Sequence, residues 1–524
     1  MLRKKLPIGI QTFAKIREAD YYYVDKTPFA LKLIEEGTAY FLSRPRRFGK
    51  SLFLDTLAEL FAGNEVLFRG LHCHDKWDWN IKYPVIRISF AEGVMESRAG
   101  LDARIGNILA ENERRLGVPK GEDGIPDRFI ALIQAAATRF GQRVVVLVDE
   151  YDKPILDNLT NPDLAREMRD GLRNLYSVIK GQDAHIKFAF LTGVSKFSKV
   201  NIFSGLNNLS DITLDAEYSN ICGYTDADVD EIFAPELEGL SRDEVRHWYN
   251  GYNWRGEAVY NPFDLLLLFQ KREFRPFWFE TGTPTFLVDM LIERQVYLPA
   301  LLKTEASSRL ISAFEVGDIS TEALMFQSGY LTIANEERVG SEIFYTLEFP
   351  NCEVRSALNA VMLGAWIGSE KREAEHRIAL FRALQKNDFT RIREIFLSLY
   401  ASIPNDWFRK NDIDRFEGYY ASVFYASFAA LGMDIIPEDV SNQGKLDMAV
   451  KFNGQVYLFE FKVVENEAEG KALQQIKDKQ YADKYRALDQ PIHLIGVEFS
   501  KKARNVVGFE VLGVRREGTD SLVP

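Results

Sequence analysis

Ser43-Arg44-Pro45-Arg46-Arg47-Phe48-Gly49-Lys50-Ser51 follows the apolar run Ala39-Tyr40-Phe41-Leu42. It precedes Leu52-Phe53-Leu54-Asp55-Thr56-Leu57-Ala58-Glu59-Leu60-Phe61, whose apolar residues recur at helical spacing. Strand, tight loop, Gly-Lys-Ser, helix is the layout of a phosphate-binding loop, in which backbone N–H groups and a helix N-terminus form an anion cradle. The Lys50 ammonium is expected to reach the outer phosphates of ATP, and the Ser51 hydroxyl to ligate Mg²⁺. Arg44, Arg46, Arg47, Phe48 and Gly49 complete the cofactor-binding stretch, with Arg44 where such loops usually carry their first glycine. The three arginines have two readings: contact with phosphates, or a report of occupancy to a lid.

The second half of this argument lies about 100 residues on. Val144-Val145-Val146-Leu147-Val148 is a continuous aliphatic run that ends in Asp149-Glu150, and such runs suit a strand buried on both faces of a parallel sheet. Two carboxylates at the mouth of a buried strand are costly if unpaired. Mg²⁺ at that sheet edge resolves the cost, with Asp149 holding the ion through its water shell and Glu150 polarising the attacking water as general base. Thr192 ends a further buried run, Ile186–Gly193, and is placed to sense the γ-phosphate or orient the water. Ser195, Lys196 and Lys199 follow it; either lysine faces phosphate or belongs to a solvated surface. Strands expected at 83–90, 144–148 and 186–193 alternate with helices at 100–116, 126–141 and 163–180. That alternation predicts a doubly wound α/β domain with ligands at the strand C-termini.

Bulk properties set the class. The 524 residues leave room for about three domains, and 46% hydrophobic with 27% charged residues is globular composition. No apolar run approaches a membrane span, and the N-terminus has no apolar core of a secretory signal. Three dispersed cysteines argue against a disulfide framework. A cytoplasmic protein without membrane contact is expected. The net charge of −11 argues against a generally DNA-coating surface. The acidic excess lies in residues 1–440, so a nucleic-acid contact is easier to place at the C-terminal end.

Tyr21-Tyr22-Tyr23, close to the loop in sequence, suits either an adenine flank or the core. From about Tyr218 the pattern turns to amphipathic helices broken by Trp248-Tyr249-Asn250-Gly251-Tyr252-Asn253-Trp254, read as a helical lid or, alternatively, a partner surface. Residues 284–405 read as mostly helical with one β-element at 343–350. His72-Cys73-His74 hints at a metal, but lacks a second Cys/His pair at ligand spacing.

The C-terminal segment carries a second chemistry. An aromatic-rich helix over 411–431, with Glu417 near its start, precedes two alternating runs, 444–452 and 455–463, joined at Asn453-Gly454. Asn-Gly between alternating runs predicts a hairpin. That hairpin brings Asp447 near Glu460 and Lys462, whose spacing of two puts both side chains on one face. Two carboxylates and a lysine form a hard-oxygen site for Mg²⁺ or Mn²⁺, with the lysine orienting or deprotonating water for phosphodiester attack. A helix expected over 471–486 brings Gln475, Lys479 and Tyr481 within reach of a phosphate backbone, and a strand at 492–499 closes the sheet.

On Tyr23-Val24-Asp25-Lys26-Thr27, the 44–51 loop, Val148-Asp149-Glu150-Tyr151-Asp152, Leu191–Lys196, Gly444-Lys445-Leu446-Asp447, Phe459-Glu460-Phe461-Lys462 and Gln474-Gln475-Ile476, the chain resembles the bacterial AAA-ATPase-like family with a C-terminal PD-(D/E)XK nuclease-superfamily domain. The resemblance implies a P-loop NTPase (ASCE/AAA-like) parallel-sheet domain, a helical middle region and an α/β restriction-endonuclease-like domain. It implies that Arg44 is a normal form of the loop. It also implies that Asp447, Glu460 and Lys462 are the nuclease trio, with Glu417 as an extra metal-binding acid. The expected organisation is an ATPase core at 1–217, a lid at 218–283, a helical linker region at 284–405 and a nuclease-like domain at 406–524. The expected function is ATP hydrolysis coupled to a metal-dependent nuclease-like domain processing DNA. The alternative is a nucleotide-switched regulatory module with an inactive nuclease-like domain. A P-loop kinase is a weaker third reading, because Glu150 beside Asp149 favours water activation. Self-association is left open.

Overall fold

A computed structural model of the chain describes residues 3–121, 124–196, 209–278, 285–312, 319–403, 417–514 and 521–522. By compactness it divides into two units, Met1–Trp278 with Lys303–Asn351, and Phe279–Leu302 with Cys352–Pro524.

The first unit is built on a parallel sheet of β1 (Ala39–Ser43), β2 (Val85–Ser89), β3 (Val144–Asp149), β4 (Ile186–Gly193) and β5 (Ser210–Asp211), in the order β2-β3-β4-β1-β5. Alternation along β4 sends Phe188 and Phe190 to one face, where the helix Lys50–Phe61 packs through Phe61 and Phe53. Ala189 and Leu191 join Val146 and Val148 on the other face. There they meet apolar residues of the helices Arg98–Leu116, Ile125–Phe140 and Pro162–Gly181. With both faces covered, the aliphatic run of β3 is buried throughout. Each such side chain contributes roughly 1.5–3 kcal/mol of burial free energy. This is the doubly wound α/β architecture that the sequence predicts. The order matters for chemistry, because β4 lies between the loop strand β1 and the carboxylate strand β3.

The aromatics at 249–254 are not a free surface: Tyr249, Tyr252 and Trp254 are buried. Tyr249 packs with Val229, Phe233 and Leu265 of neighbouring helices. Residues 303–351 differ from a mostly helical expectation. They hold an antiparallel sheet of β6 (Thr304–Ser307), β7 (Thr332–Val339) and β8 (Glu342–Glu348), in the order β6-β8-β7. The sequence marks β8 alone. β6 is short, and β7 carries Asn335-Glu336-Glu337-Arg338, a polar run that becomes a strand through its pairing with β8.

The second unit holds a six-stranded mixed sheet: β9 (Asp434–Ser441), β10 (Gly444–Phe452), β11 (Gln455–Val464), β12 (Ile492–Ser500), β13 (Asn505–Val514) and β14 (Ser521–Leu522), ordered β14-β13-β12-β11-β10-β9. The Asn453-Gly454 hairpin is present, with Phe452 opposite Gln455. β12 does not close the sheet as expected; it lies inside, parallel to β11 and antiparallel to β13. The helix Glu417–Ala429 lays Phe424 and Phe428 on Phe459, and Phe424 also on Phe461. Those rings take one face of β11 and leave Glu460 and Lys462 on the other. The helix expected over 471–486 ends earlier, at Lys471–Asp478. Gln480 is left-handed (φ 48°), and a 3-10 segment, Tyr481–Leu488, follows.

Candidate functional sites

The 43–51 loop closes around its own lysine. Gly49 adopts φ 96°, a conformation that costs glycine little, and starts the helix at Lys50. Buried Lys50 donates from Nζ to the Arg44 and Pro45 carbonyls, both at 2.9 Å. An ammonium has three N–H donors, so one remains for an anion. Burial lowers the Lys50 pKa, against the opposing pull of Asp149.

Ser51 Oγ donates to Asp149 Oδ2 at 2.6 Å, and Thr192 Oγ1 donates to Asp149 Oδ1 at 2.7 Å. The Glu150 amide adds a bond to Oδ1 at 3.1 Å. These contacts join the ends of β3 and β4 to the first turn of the loop helix, so residues about 100 and 140 positions apart meet. Thr192 is fully buried, its hydroxyl holds Asp149, and it is not among the residues that line the neighbouring cavity. Glu150 sits at φ 51°, a left-handed backbone that costs a non-glycine residue about 1–2 kcal/mol. Its carboxyl is raised by burial first and by the Asp149 charge second, while Lys50 and Arg46 pull the other way.

A cavity of about 310 Å³ opens over this cluster. Its lining includes the charged and polar side chains of Arg46, Arg47, Lys50, Ser51 and Glu150 and the apolar ones of Tyr22, Tyr23, Tyr224, Phe263 and Leu266. Tyr22 belongs to both readings of the tyrosine cluster: it lines the cavity and also packs 5.0 Å from the Phe233 ring in the core. Arg46 is exposed. Arg47 lies 3.9 Å over the Phe263 ring. Phe48 also borders the cavity, with its ring set edge-on against Tyr252 and Trp254.

Arg44 is the exception among the grouped arginines. It lies outside the cavity lining and is fully buried. Lys196, open to two readings, takes neither: it forms an ion pair with Asp211. Lys199 falls outside the described residues.

Asp152, which the sequence places in the same motif without a role of its own, is an anchor. Buried below the loop, it accepts from Val194 N at 3.1 Å, Ser195 N at 2.6 Å and Ser195 Oγ at 2.5 Å. This ties the exit of β4 to the turn after β3. Gly193 lies against it, where any Cβ would meet Tyr151 and Asp152. An Asp three positions after Asp149 carries no sequence signal that separates anchoring from chemistry.

In the second unit Asp447 lies one step beyond the Met448–Phe459 pair of the hairpin, and its Oδ2 accepts from Phe461 N at 2.7 Å. Glu460 Oε1 accepts from Lys462 Nζ at 3.2 Å and from Gln475 Nε2. Glu460 Oε2 is buried and has no hydrogen-bond partner. Burial, then the neighbouring Asp447 charge, pushes the Glu460 carboxyl up to about 7, and burial raises Asp447 as well. A desolvated carboxylate oxygen beside a second carboxylate suits a hard cation, so these residues fit Mg²⁺ or Mn²⁺. Among the described residues no group of three or more His, Cys, Asp or Glu is arranged to hold a metal ion, His72-Cys73-His74 included. The Glu417 side chain lies outside the described residues.

Of the phosphate-backbone candidates, Gln475 turns onto Glu460, Tyr481 is buried with its hydroxyl on the Lys445 carbonyl at 2.9 Å, and Lys479 is exposed. Glu498 carries no signal in the sequence. Buried on β12 opposite Lys462, its carboxylate accepts from the backbone N–H groups of Glu469, Gly470, Lys471 and Ala472. It thereby holds the start of the helix that carries Gln475.

No helix among the described residues is long and apolar enough to cross a membrane. Residues 7–203 match the profile of a family described as "Predicted AAA-ATPase", and residues 415–509 that of the "PD-(D/E)XK nuclease superfamily". An "Uncharacterized protein in vnfD 5'region" of Azotobacter chroococcum mcd 1 is 64% identical over 512 residues, covering 98% of this chain and 99% of that protein. A loop whose lysine spends two N–H groups on its own carbonyls, a strand leading into Asp-Glu beside it, and an Asp/Glu/Lys sheet face agree with both profiles. The chain belongs to the AAA-ATPase-like family that carries a C-terminal PD-(D/E)XK nuclease-superfamily domain.

Proposed function

We propose that this protein binds and hydrolyses ATP at the 43–51 loop, and that its C-terminal domain is a metal-dependent nuclease acting on DNA in the cytoplasm. The observation that carries the reading is that Lys50, Ser51 and Glu150 line one cavity, with Asp149 bonded to the Ser51 hydroxyl behind them. The free Lys50 N–H and the Arg46 guanidinium supply positive charge for the outer phosphates. Glu150, with its proton affinity raised, is a better match to a general base at neutral pH than an ordinary carboxylate. Mg²⁺ on Ser51, and through water on Asp149, would neutralise phosphate charge. Thr192 and the Glu150 amide keep Asp149 in place for that task.

In the C-terminal domain, Asp447 and the unpartnered Glu460 Oε2 are the cation-holding oxygens. Mg²⁺ or Mn²⁺ there would polarise the scissile phosphate. Lys462 orients the attacking water, and Gln475 fixes the other Glu460 oxygen.

The test is ATPase activity with and without DNA, in wild type and Glu150→Gln, with Mg²⁺- and Mn²⁺-dependent cleavage of DNA and RNA alongside. Glu150→Gln should bind ATP and lower turnover by about a hundredfold or more; undiminished turnover would overturn its role as base. Asp447→Ala and Glu460→Ala should abolish cleavage, and cleavage unchanged in both removes the nuclease assignment. One observation favours a regulatory module with an inactive nuclease-like domain: two carboxylates meet at the C-terminal site, and one oxygen of Glu460 is already occupied. That reading expects Lys50-dependent ATP binding with no cleavage under either metal.

A further inference from the structure

Arg44 stands where phosphate loops usually carry a glycine, yet it is fully buried. Its guanidinium donates to the carbonyl oxygens of Ser43 at 2.8 Å, Thr213 at 2.9 Å, Tyr218 at 3.0 Å and Ser219 at 3.4 Å. It also lies 4.2 Å from the centre of the Trp254 ring. No carboxylate takes part in these bonds. Burying a guanidinium without an acid partner is costly, and burial pushes its pKa down to about 10. Four carbonyl dipoles and the indole face offset that cost, and they fix the side chain in one place.

The same residue's own carbonyl receives the Lys50 ammonium at 2.9 Å. A continuous series of contacts therefore runs from 213–219 and Trp254, through the Arg44 guanidinium and backbone, to Lys50 Nζ. Phe48 reinforces it: its carbonyl accepts from Gly223 N at 3.1 Å, and its ring meets Tyr252 and Trp254 edge-on.

We propose that Arg44 is a positioning residue that braces the phosphate loop against the 213–254 segment and thereby sets where the Lys50 ammonium meets phosphate. A glycine in this position gives a loop freedom to wrap an anion; Arg44 instead imposes the wrapped shape from behind. The proposal rests on the ATP-site reading above, and the experiment separates the two.

Binding of a fluorescent ATP analogue is measured in the full chain for wild type, Lys50→Ala, Arg44→Lys and Arg44→Gly. If wild type binds no better than Lys50→Ala, the ATP-site reading itself fails. If binding depends on Lys50, Arg44→Lys should weaken it at least about tenfold and lower ATP turnover by up to about a hundredfold. The lysine keeps the charge but loses the planar fork and the stack, and small misplacements of a positioning group carry losses of that size. Arg44→Gly, measured at a temperature where it is fully folded without additive, should bind more weakly and should regain binding when methylguanidinium is added; under those conditions a gain in stability alone restores nothing. A folded Arg44→Lys protein that binds within about twofold of wild type overturns the brace. Should both Arg44 variants fail to fold, Trp254→Phe decides: several-fold weaker binding supports the brace, and unchanged binding overturns it.

Discussion

Burial leaves Glu460 Oε2 without a hydrogen-bond partner and raises its carboxyl to about 7, with the Asp447 charge adding to the shift and Lys462 opposing it. A raised carboxyl pKa means that the folded state favours the neutral form. Its stabilising contribution is full below the ordinary value of 4.5 and is lost as pH rises through about 7. The size is at most roughly 3 kcal/mol. Calorimetry without divalent cation should show the C-terminal domain of wild type melting lower at pH 8 than at pH 5, with Glu460→Gln flattening that difference. Added Mn²⁺ should restore wild type at pH 8 and leave Glu460→Gln unmoved. Matching pH profiles for the two proteins would show that the shift is absent. Glu460 and Lys462 were legible because strand alternation dictates a shared face. Asp152, Arg44 and Glu498 were not, since their partners are mostly backbone groups far away in the chain, which offer no side-chain pattern to read.

The short helix Lys471–Asp478 shows how an element delivers a functional group. Ala472, Leu473 and Ile476 form its buried stripe, Glu498 satisfies the N–H groups at its start, and Gly496 of β12 lets it approach the sheet. A Cβ at Gly496 would overlap the Leu473 backbone. Gly496 is the register partner of Glu460, so the close approach occurs where Gln475 must reach Glu460. Gly496→Ala should therefore cost about 1–3 kcal/mol, seen as a lower denaturation midpoint, and should weaken cleavage even where the protein stays folded. Retained stability and cleavage would mean that the helix is not held at this point. Propensity extends this helix through Arg486, because Lys479, Gln480, Tyr481 and Ala482 do not forbid it. The break at Gln480 arises from docking: Tyr481 and Tyr485 turn inward, with their hydroxyls on Lys445 and Asp439.

At the scale of the molecule, residues 303–351 belong with the first compact unit. Arg255 pairs bidentately with Glu336 of β7, at 2.6 and 3.0 Å, and Asn253 exchanges backbone bonds with the Thr332 hydroxyl. Pro45 of the loop packs at Gly329, where a Cβ would lie 2.7 Å from its ring. A 1–278 fragment should therefore bind an ATP analogue more weakly and melt earlier than a 1–351 fragment. Equal behaviour of the two fragments would show that the β6–β8 sheet contributes nothing to the loop. The sequence by itself determined the elements whose signal is local. These are the loop between strand and helix, the buried aliphatic strand ending in Asp149-Glu150, the Asn-Gly hairpin and its Asp447/Glu460/Lys462 face, because backbone periodicity and turn chemistry act over a few residues. Only the tertiary structure decided that Arg44 is buried outside the lining of the cavity beside the loop, that Thr192 holds Asp149, and that a charged stretch at 332–339 is a strand. Each of these depends on which distant carbonyl, carboxylate or strand edge the fold brings alongside, and a buried polar group must take the partner it meets there.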